Sequence, residues 1–174
     1  QVIPMTEFVE DFADDLLDSI RTLTPPVYTG ARKPSRDAML ANLLRQPLPG
    51  QDDVIHAGCT LLVDRDEPAC IYNGEMGTGK TMMAIATAAI LAQEGFPRAL
   101  VIAPPHLVYK WRREIKETVP EARVWVLNGP DTLRRLLQIR EMRARPSVPE
   151  FFVLGRVRMR MGFHWRPAIG TRVL

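Results

Sequence analysis

Eight residues, Gly74-Glu-Met-Gly-Thr-Gly-Lys-Thr81, constrain this chain more than any other stretch. They fit the phosphate-loop pattern G-x-x-x-x-G-K-[ST]. Gly77 and Gly79 let the backbone turn so that successive N–H groups converge on phosphate oxygens, in a concavity that side chains would obstruct. A helix starting at Lys80 adds the positive end of its dipole. Lys80 supplies a point charge for the β- and γ-phosphates, and the Thr81 hydroxyl is a Mg²⁺ ligand. Around the loop, residues 69–72 read as a short apolar strand running in, and residues 80–93 as a helix running out. The segment formed by Gly74, Glu75, Met76, Gly77, Thr78, Gly79, Lys80 and Thr81 is therefore expected to bind a nucleoside triphosphate with Mg²⁺. Met82, Met83, Ile85 and Ile90, at helical spacing, are expected to be core.

The pattern around this loop predicts an α/β domain. Residues 99–103, 123–127 and 151–154 read as further strands, with helices over 105–118 and 131–143 between them. Strands alternating with helices of ten or more residues imply a parallel sheet. Upstream, residues 51–63 read as a helix with Val54, Ala57, Leu61 and Leu62 on its inner side. Before the Pro/Gly-rich break at 46–50 come a short helix near 36–45 and a linker over 24–34. The first stretch, 6–23, places Phe8, Phe12, Leu16 and Ile20 four apart with acids between them, an amphipathic helix with Thr6 as a candidate cap. Residues 1–46 are thus expected to be a helical extension, and 47–174 the phosphate-loop domain.

The 174 residues carry a net charge of +3, but it is unevenly spread. Residues 1–96 hold 7 Lys/Arg against 14 Asp/Glu, and residues 97–174 hold 16 against 6. A basic half attracts a phosphate backbone through counterion release, although solvated surface helices give the same asymmetry. Arg134, Arg135, Arg140, Arg143 and Arg145 precede the last strand. Arg156, Arg158 and Arg160 follow it at period two, with Arg166 and Arg172 beyond. That period suggests an edge strand, while a helix start remains open. Trp111, Trp125 and Trp165 are expected to pack rather than stack on bases. No apolar run is long enough to span a membrane. Two cysteines, Cys59 and Cys70, make no disulfide framework and read as free thiols in a reducing, cytoplasmic compartment. The acidic start lacks a signal peptide's basic region, and the absence of Met at position 1 suggests a piece of a longer protein.

The segment Ala99-Leu-Val-Ile-Ala-Pro-Pro-His-Leu-Val-Tyr-Lys-Trp-Arg-Arg-Glu114 resembles motif Ia of superfamily-two helicases, especially the Swi/Snf-like translocases. Those proteins place a Pro after the second strand, a Trp seven residues later and a Glu three further on, as Pro104, Trp111 and Glu114 stand here. Leu107 holds the apolar position between them. The family also favours an acid, a Met and a Gly before Gly-Lys-Thr, matched by Glu75-Met76-Gly77. Residues 151–156 and 163–167 look like the fourth-strand region of prokaryotic and mobile-element members.

The resemblance implies a partial RecA-like phosphate-loop NTPase fold, with a parallel sheet and flanking helices, that binds ATP and Mg²⁺. It implies that Pro104, Pro105 and His106 lie near nucleic acid, with double-stranded DNA as partner. The family also carries a Gln upstream of the loop that reads adenine, and Gln51 is its counterpart; an amide pairs bidentately with adenine N6 and N7. A surface Gln opening a helix is the alternative reading.

One departure bears on activity. No Asp-Glu pair follows the phosphate loop, and Asp66-Glu67 precedes it. The family's acidic motif and its second RecA-like lobe are therefore expected to lie outside these residues, leaving ATP binding without turnover. A strand-separating helicase, the motor of a restriction system and a non-catalytic ATP-binding scaffold or DNA-binding module stay open as alternatives. The tryptophan helix argues against a small-molecule kinase.

Overall fold

A computed structural model describes residues 4–26, 28–129, 131–141 and 146–159. The chain divides into two compact units, residues 1–31 and 32–174. The first unit is helix α1 (Met5–Leu23), none of whose residues is buried. Phe8, Phe12, Leu16 and Ile20 share one face, as their spacing requires. Thr6 does not cap it. The helix begins one residue earlier, after Pro4, whose carbonyl accepts the Phe8 N–H at 3.0 Å.

The second unit is built on three parallel strands, β1 (Arg98–Ala103), β2 (Arg123–Val126) and β3 (Glu150–Gly155), in the order β1-β3-β2. β3 is central and wholly buried, so its Phe151-Phe-Val-Leu run needs no polar alternation. The register aligns Arg98, Glu150 and Arg123 across the three strands. Buried Glu150 takes Arg98 Nε at 3.1 Å on one oxygen and an Arg123 guanidinium nitrogen at 2.9 Å on the other. One carboxylate thereby ties both outer strands to the centre at the amino-terminal edge of the sheet.

Alternation sorts the side chains into two cores. Ala99, Phe151, Val153 and Val126 face helices α4 (Lys80–Gln93) and α5 (Val108–Thr118), with Met82, Met83, Ile85, Ala86, Ala89 and Ile90 of α4 in the same cluster. Phe152, Leu154 and Leu127 face α6 (Thr132–Glu141) through Leu136 and Ile139. The fold is therefore the expected three-layer α/β arrangement, consistent with a partial RecA-like domain. The predicted core methionines and isoleucines are buried. Trp111 packs on the first cluster and Trp125 on the second; Trp165 lies outside the described residues.

Helices α2 (Pro34–Ala41) and α3 (Gln51–Cys59) complete this unit, α3 running into a π-turn over Thr60–Asp64. Arg36 of α2 is buried and grips two carboxylates. Its guanidinium donates to Asp64 at 2.9 and 3.0 Å and to Glu94, at the end of α4, at 2.7 and 3.0 Å. A buried guanidinium is tolerable only when paired in this way. Beside it, buried His56 Nε2 lies 3.0 Å from Asp37. Helix α2, assigned from sequence to the extension, is thus tied to the ends of α3 and α4.

Three of the expected elements are corrected. Residues 69–72 form no strand: no described strand lies beside them to complete a ladder, and Ile71 is 89% exposed. The inner side of α3 is Ile55, His56 and Cys59, because helix packing on α4 rotates Val54 outward. The helix expected over 105–118 opens as a 3₁₀ turn, Pro105–Leu107, in which the Leu107 N–H returns to the Pro104 carbonyl three residues back. Of the two readings left open after the last strand, the structure has the helix start: Arg156–Met159 is a short helix, α7. Residues 160–174, with Arg160, Arg166 and Arg172, lie outside the described residues, as do Arg143 and Arg145. Among the described residues no helix is long and apolar enough to cross a membrane. Both cysteines are free, and burial pushes the Cys59 thiol up to about 12.

Candidate nucleotide-binding site

The loop from Gly74 to Gly79 enters α4 through two residues in the left-handed region, Gly77 at φ 89° and Gly79 at φ 83°. Both conformations cost an L side chain about 1–2 kcal/mol, so glycine is required by the backbone itself. A Cβ at Gly79 would also crowd Gln51 Nε2, so that the end of the Gln51 side chain would have to move away. The loop is held from within. The Thr78 hydroxyl donates to the Glu75 carbonyl at 2.9 Å, and Lys80 Nζ donates to the Gly74 and Glu75 carbonyls at 2.8 and 2.6 Å. Lys80 thus lies back along the loop, its ammonium held by those two carbonyls. Met76 stands 99% exposed at the tip.

Gln51 opens α3 and reaches the same loop. Its Oε1 accepts the Leu48 N–H at 2.9 Å, and its Nε2 donates to the Thr78 carbonyl at 3.0 Å. One side chain therefore clips the Leu48–Gly50 turn to the phosphate loop across 27 residues. A primary amide has two donors and two lone pairs, so each end keeps one bond for a further partner. Between these parts lies an open cleft of about 540 Å³. Leu48, Pro49, Val54, Ile71 and Tyr72 make an apolar end, and Gly74, Gly77 and Thr78 a polar one. Its size suits a small-molecule ligand.

Tyr72 anchors the approach to the loop in place of a sheet ladder. Its hydroxyl lies 2.5 Å from Thr87 Oγ1 of α4, and its ring fills the space where a Cβ at Gly58 of α3 would stand. Burial raises its pKa, against a smaller opposing effect of the Thr87 hydrogen bond. Spacing could not reveal this role, because an apolar run ending in Tyr reads as strand. Arg32 donates to Asp52 at 2.6 Å and to Asp53 at 2.9 Å, bracing the first turn of α3; the Arg32 hydrogen bond holds the Asp52 carboxyl below its ordinary range.

Pro104, Pro105 and His106 stand in the turn that follows β1, where the Leu107 N–H donates to the Pro104 carbonyl at 2.9 Å. Pro105 and His106 are exposed. The register of the sheet places this turn beside Gly155, at the carboxyl ends of β1 and β3, where open α/β sheets receive ligands. The structure thus brings Gln51 to the phosphate loop, and of the expected site residues Gln51, Gly74, Gly77 and Thr78 line that cleft, while Glu75, Met76, Gly79, Lys80, Thr81 and residues 104–106 do not. Among the described residues no cluster of His, Cys, Asp or Glu could hold a metal ion. A cation here would depend on the Thr81 hydroxyl and on phosphate oxygens.

The SNF2-related domain model matches residues 39–149, about two thirds of the chain. This chain belongs to the SNF2-related family. The matched span takes in α3, the phosphate loop, α4, the two outer strands β1 and β2, α5 and α6, and stops just before β3. It is 33% identical over 103 residues to the DNA annealing helicase and endonuclease ZRANB3 of Bos taurus, covering 58% of this chain and 9% of that protein. It is 38% identical over 71 residues to the chromatin remodeling factor mit1 of Schizosaccharomyces pombe, covering 40% of this chain and 5% of that protein. The SNF2-related chain therefore spans under a tenth of the curated relatives it matches.

Proposed function

We propose that this chain is the ATP-binding, amino-terminal lobe of a nucleic-acid-dependent ATPase of the SNF2-related family, a DNA translocase or helicase. The observation that carries the reading is the Gln51–Thr78 hydrogen bond. It joins the apolar end of the cleft and the phosphate loop. In this reading Gln51 offers its remaining donor and acceptor to the adenine edge, which selects ATP over GTP. Gly74 to Gly79 present backbone N–H groups to the phosphates. Lys80 exchanges the Gly74 and Glu75 carbonyls for the β- and γ-phosphates, and Thr81 holds the Mg²⁺, whose chemistry is to neutralise charge between those phosphates. Pro104, Pro105 and His106 touch the DNA backbone. The names of the two relatives, a DNA annealing helicase and a chromatin remodeling factor, support a DNA partner.

Hydrolysis is assigned to parts outside these residues, because no Asp-Glu pair follows the loop in the sequence. That same observation favours the second reading, a non-catalytic ATP-binding scaffold. Titration of a fluorescent ATP analogue with Mg²⁺ tests the first step. Lys80→Ala should weaken binding about thirtyfold, the effect of losing a charge-assisted bond worth about 2 kcal/mol. Phosphate release with and without duplex DNA should stay at background. DNA-stimulated turnover by the 174 residues would show that the acid pair is not needed, and absence of nucleotide binding would sink the reading altogether.

A further inference from the structure

Helix α1 carries eight of the eighteen large apolar side chains that the described residues leave exposed. At 100° per residue, Phe8, Val9, Phe12, Leu16 and Ile20 fall on one continuous arc. Phe8 and Phe12 already lie ring against ring, with centroids 4.9 Å apart. The other arc is acidic: Glu7, Glu10, Asp11, Asp14, Asp15 and Asp18 face one cation, Arg21. Asp11 and Asp15 border the apolar arc on one side, and Glu10 on the other.

The acids are spaced so that they repel. Glu7 and Asp11, Glu10 and Asp14, Asp11 and Asp15, and Asp14 and Asp18 are all four apart, where like charges destabilise a helix. Among the described residues, the exposed Arg21–Asp18 pair at 3.4 Å is the one ion pair of α1 that offsets them. In proteins most helical stability comes from packing an apolar face. Whatever covers α1 must therefore supply apolar contact and cations together.

We propose that α1 is a docking helix for a partner protein that offers an apolar groove bordered by Lys and Arg side chains. Such a groove sets cations beside Glu10, Asp11 and Asp15, the acids that border the apolar arc, and covers the aromatic pair in one step. A second copy of α1 would instead double the acid density along the seam. A lipid surface is disfavoured too, because helices that lie on membranes carry Lys and Arg, not Asp and Glu, on the polar arc.

The test uses the whole 174-residue chain and two synthetic helical hairpins with the same leucine-lined groove, one bordered by lysines and one by glutamates, each followed by fluorescence anisotropy. The lysine hairpin should bind at least tenfold more tightly, and more weakly as salt rises. Phe12→Asp with Leu16→Asp should lose that binding at least tenfold. Glu10→Lys, Asp11→Lys and Asp15→Lys together keep the apolar arc and should invert the preference toward the glutamate hairpin. Circular dichroism on each variant separates loss of the helix from loss of docking. Equal affinity for both hairpins, or for neither, overturns the proposal. So does a dimer in sedimentation that Phe12→Asp abolishes, or tighter binding to phosphatidylcholine–phosphatidylserine vesicles than to the lysine hairpin. Nucleotide affinity is measured in parallel and should not change, so failure here is distinct from failure of the ATP reading.

Discussion

Helices α1 and α4 are the two longest in the protein as described, and they are opposites. α1 has nineteen residues and buries none; α4 has fourteen and buries eight. The sequence of α1 is sharply two-sided, and that of α4 is apolar nearly all round after Lys80. A helix apolar on every side has to be enclosed, and α4 is enclosed by α2, α3, α5 and the sheet. Amphipathicity, by contrast, states that a face needs covering without stating what covers it. α4 is seated against three helices and the sheet and carries the Gly74–Gly79 loop at its amino terminus, whereas α1 has no buried residue.

The contrast can be broken by substitution, with effects that should fall in order. Ile90→Ala in α4 removes a fully buried side chain and should cost about 4 kcal/mol in chemical denaturation. An effect under about 1 kcal/mol would mean that α4 is not seated as described.

Arg36→Ala comes next, at about 3 kcal/mol, because it leaves Asp64 and Glu94 facing a buried gap. This loss should depend on pH. Burial alone would raise the Asp64 pKa, but hydrogen bonds from Arg36 and Lys33 outweigh it and hold the carboxyl below its ordinary range. A depressed folded pKa contributes stability that is present above the unfolded value near ~4 and lost as pH falls through the lower folded value. The wild-type chain should therefore lose stability on acidification below about pH 4, and Arg36→Ala should flatten that slope. An unchanged slope would show that Asp64 is not the titrating group.

Gly79→Ala should cost about 1–2 kcal/mol for its left-handed backbone. It should also displace Gln51 from Thr78, so nucleotide affinity should fall together with stability. Smallest of all, Leu16→Ala in α1 should change stability by under about 0.5 kcal/mol, as for a surface position. A loss as large as that of Ile90→Ala would erase the distinction between the two helices.

Much of this contrast was legible beforehand. The bounds of α4 followed from the loop that opens it, and the two-sided period of α1 from the four-residue spacing of Phe8, Phe12, Leu16 and Ile20. The strands around residues 98–103, 123–126 and 150–155 were visible as apolar runs between charged helices. The site was half legible. Lys80, Thr81 and the glycines announce themselves because phosphate chemistry needs those residue types at that spacing. Gln51 was nominated by family resemblance, and its position against Thr78 emerged only in three dimensions. Tyr72 and Arg36 gave no signal, since an aromatic ending an apolar run and an arginine in a short polar helix have ordinary surface or strand readings.

What the sequence determined by itself is local: the loop's glycines and lysine, the helix that follows it, the alternation of strand and helix, and the acidic, two-sided start. Each is set by backbone freedom or by a period within a few residues, so neighbours along the chain suffice to read it. What only the tertiary structure decided is which distant residues meet. β3 takes the centre of the sheet, so that Glu150 reaches Arg98 and Arg123. Residues 69–72 stay unladdered and are held by Tyr72 instead. The buried side of α3 is Ile55, His56 and Cys59 rather than the side its period suggested. Those outcomes depend on partners far apart in sequence, because a hydrogen-bond ladder or a buried face exists only once a second element supplies the other half.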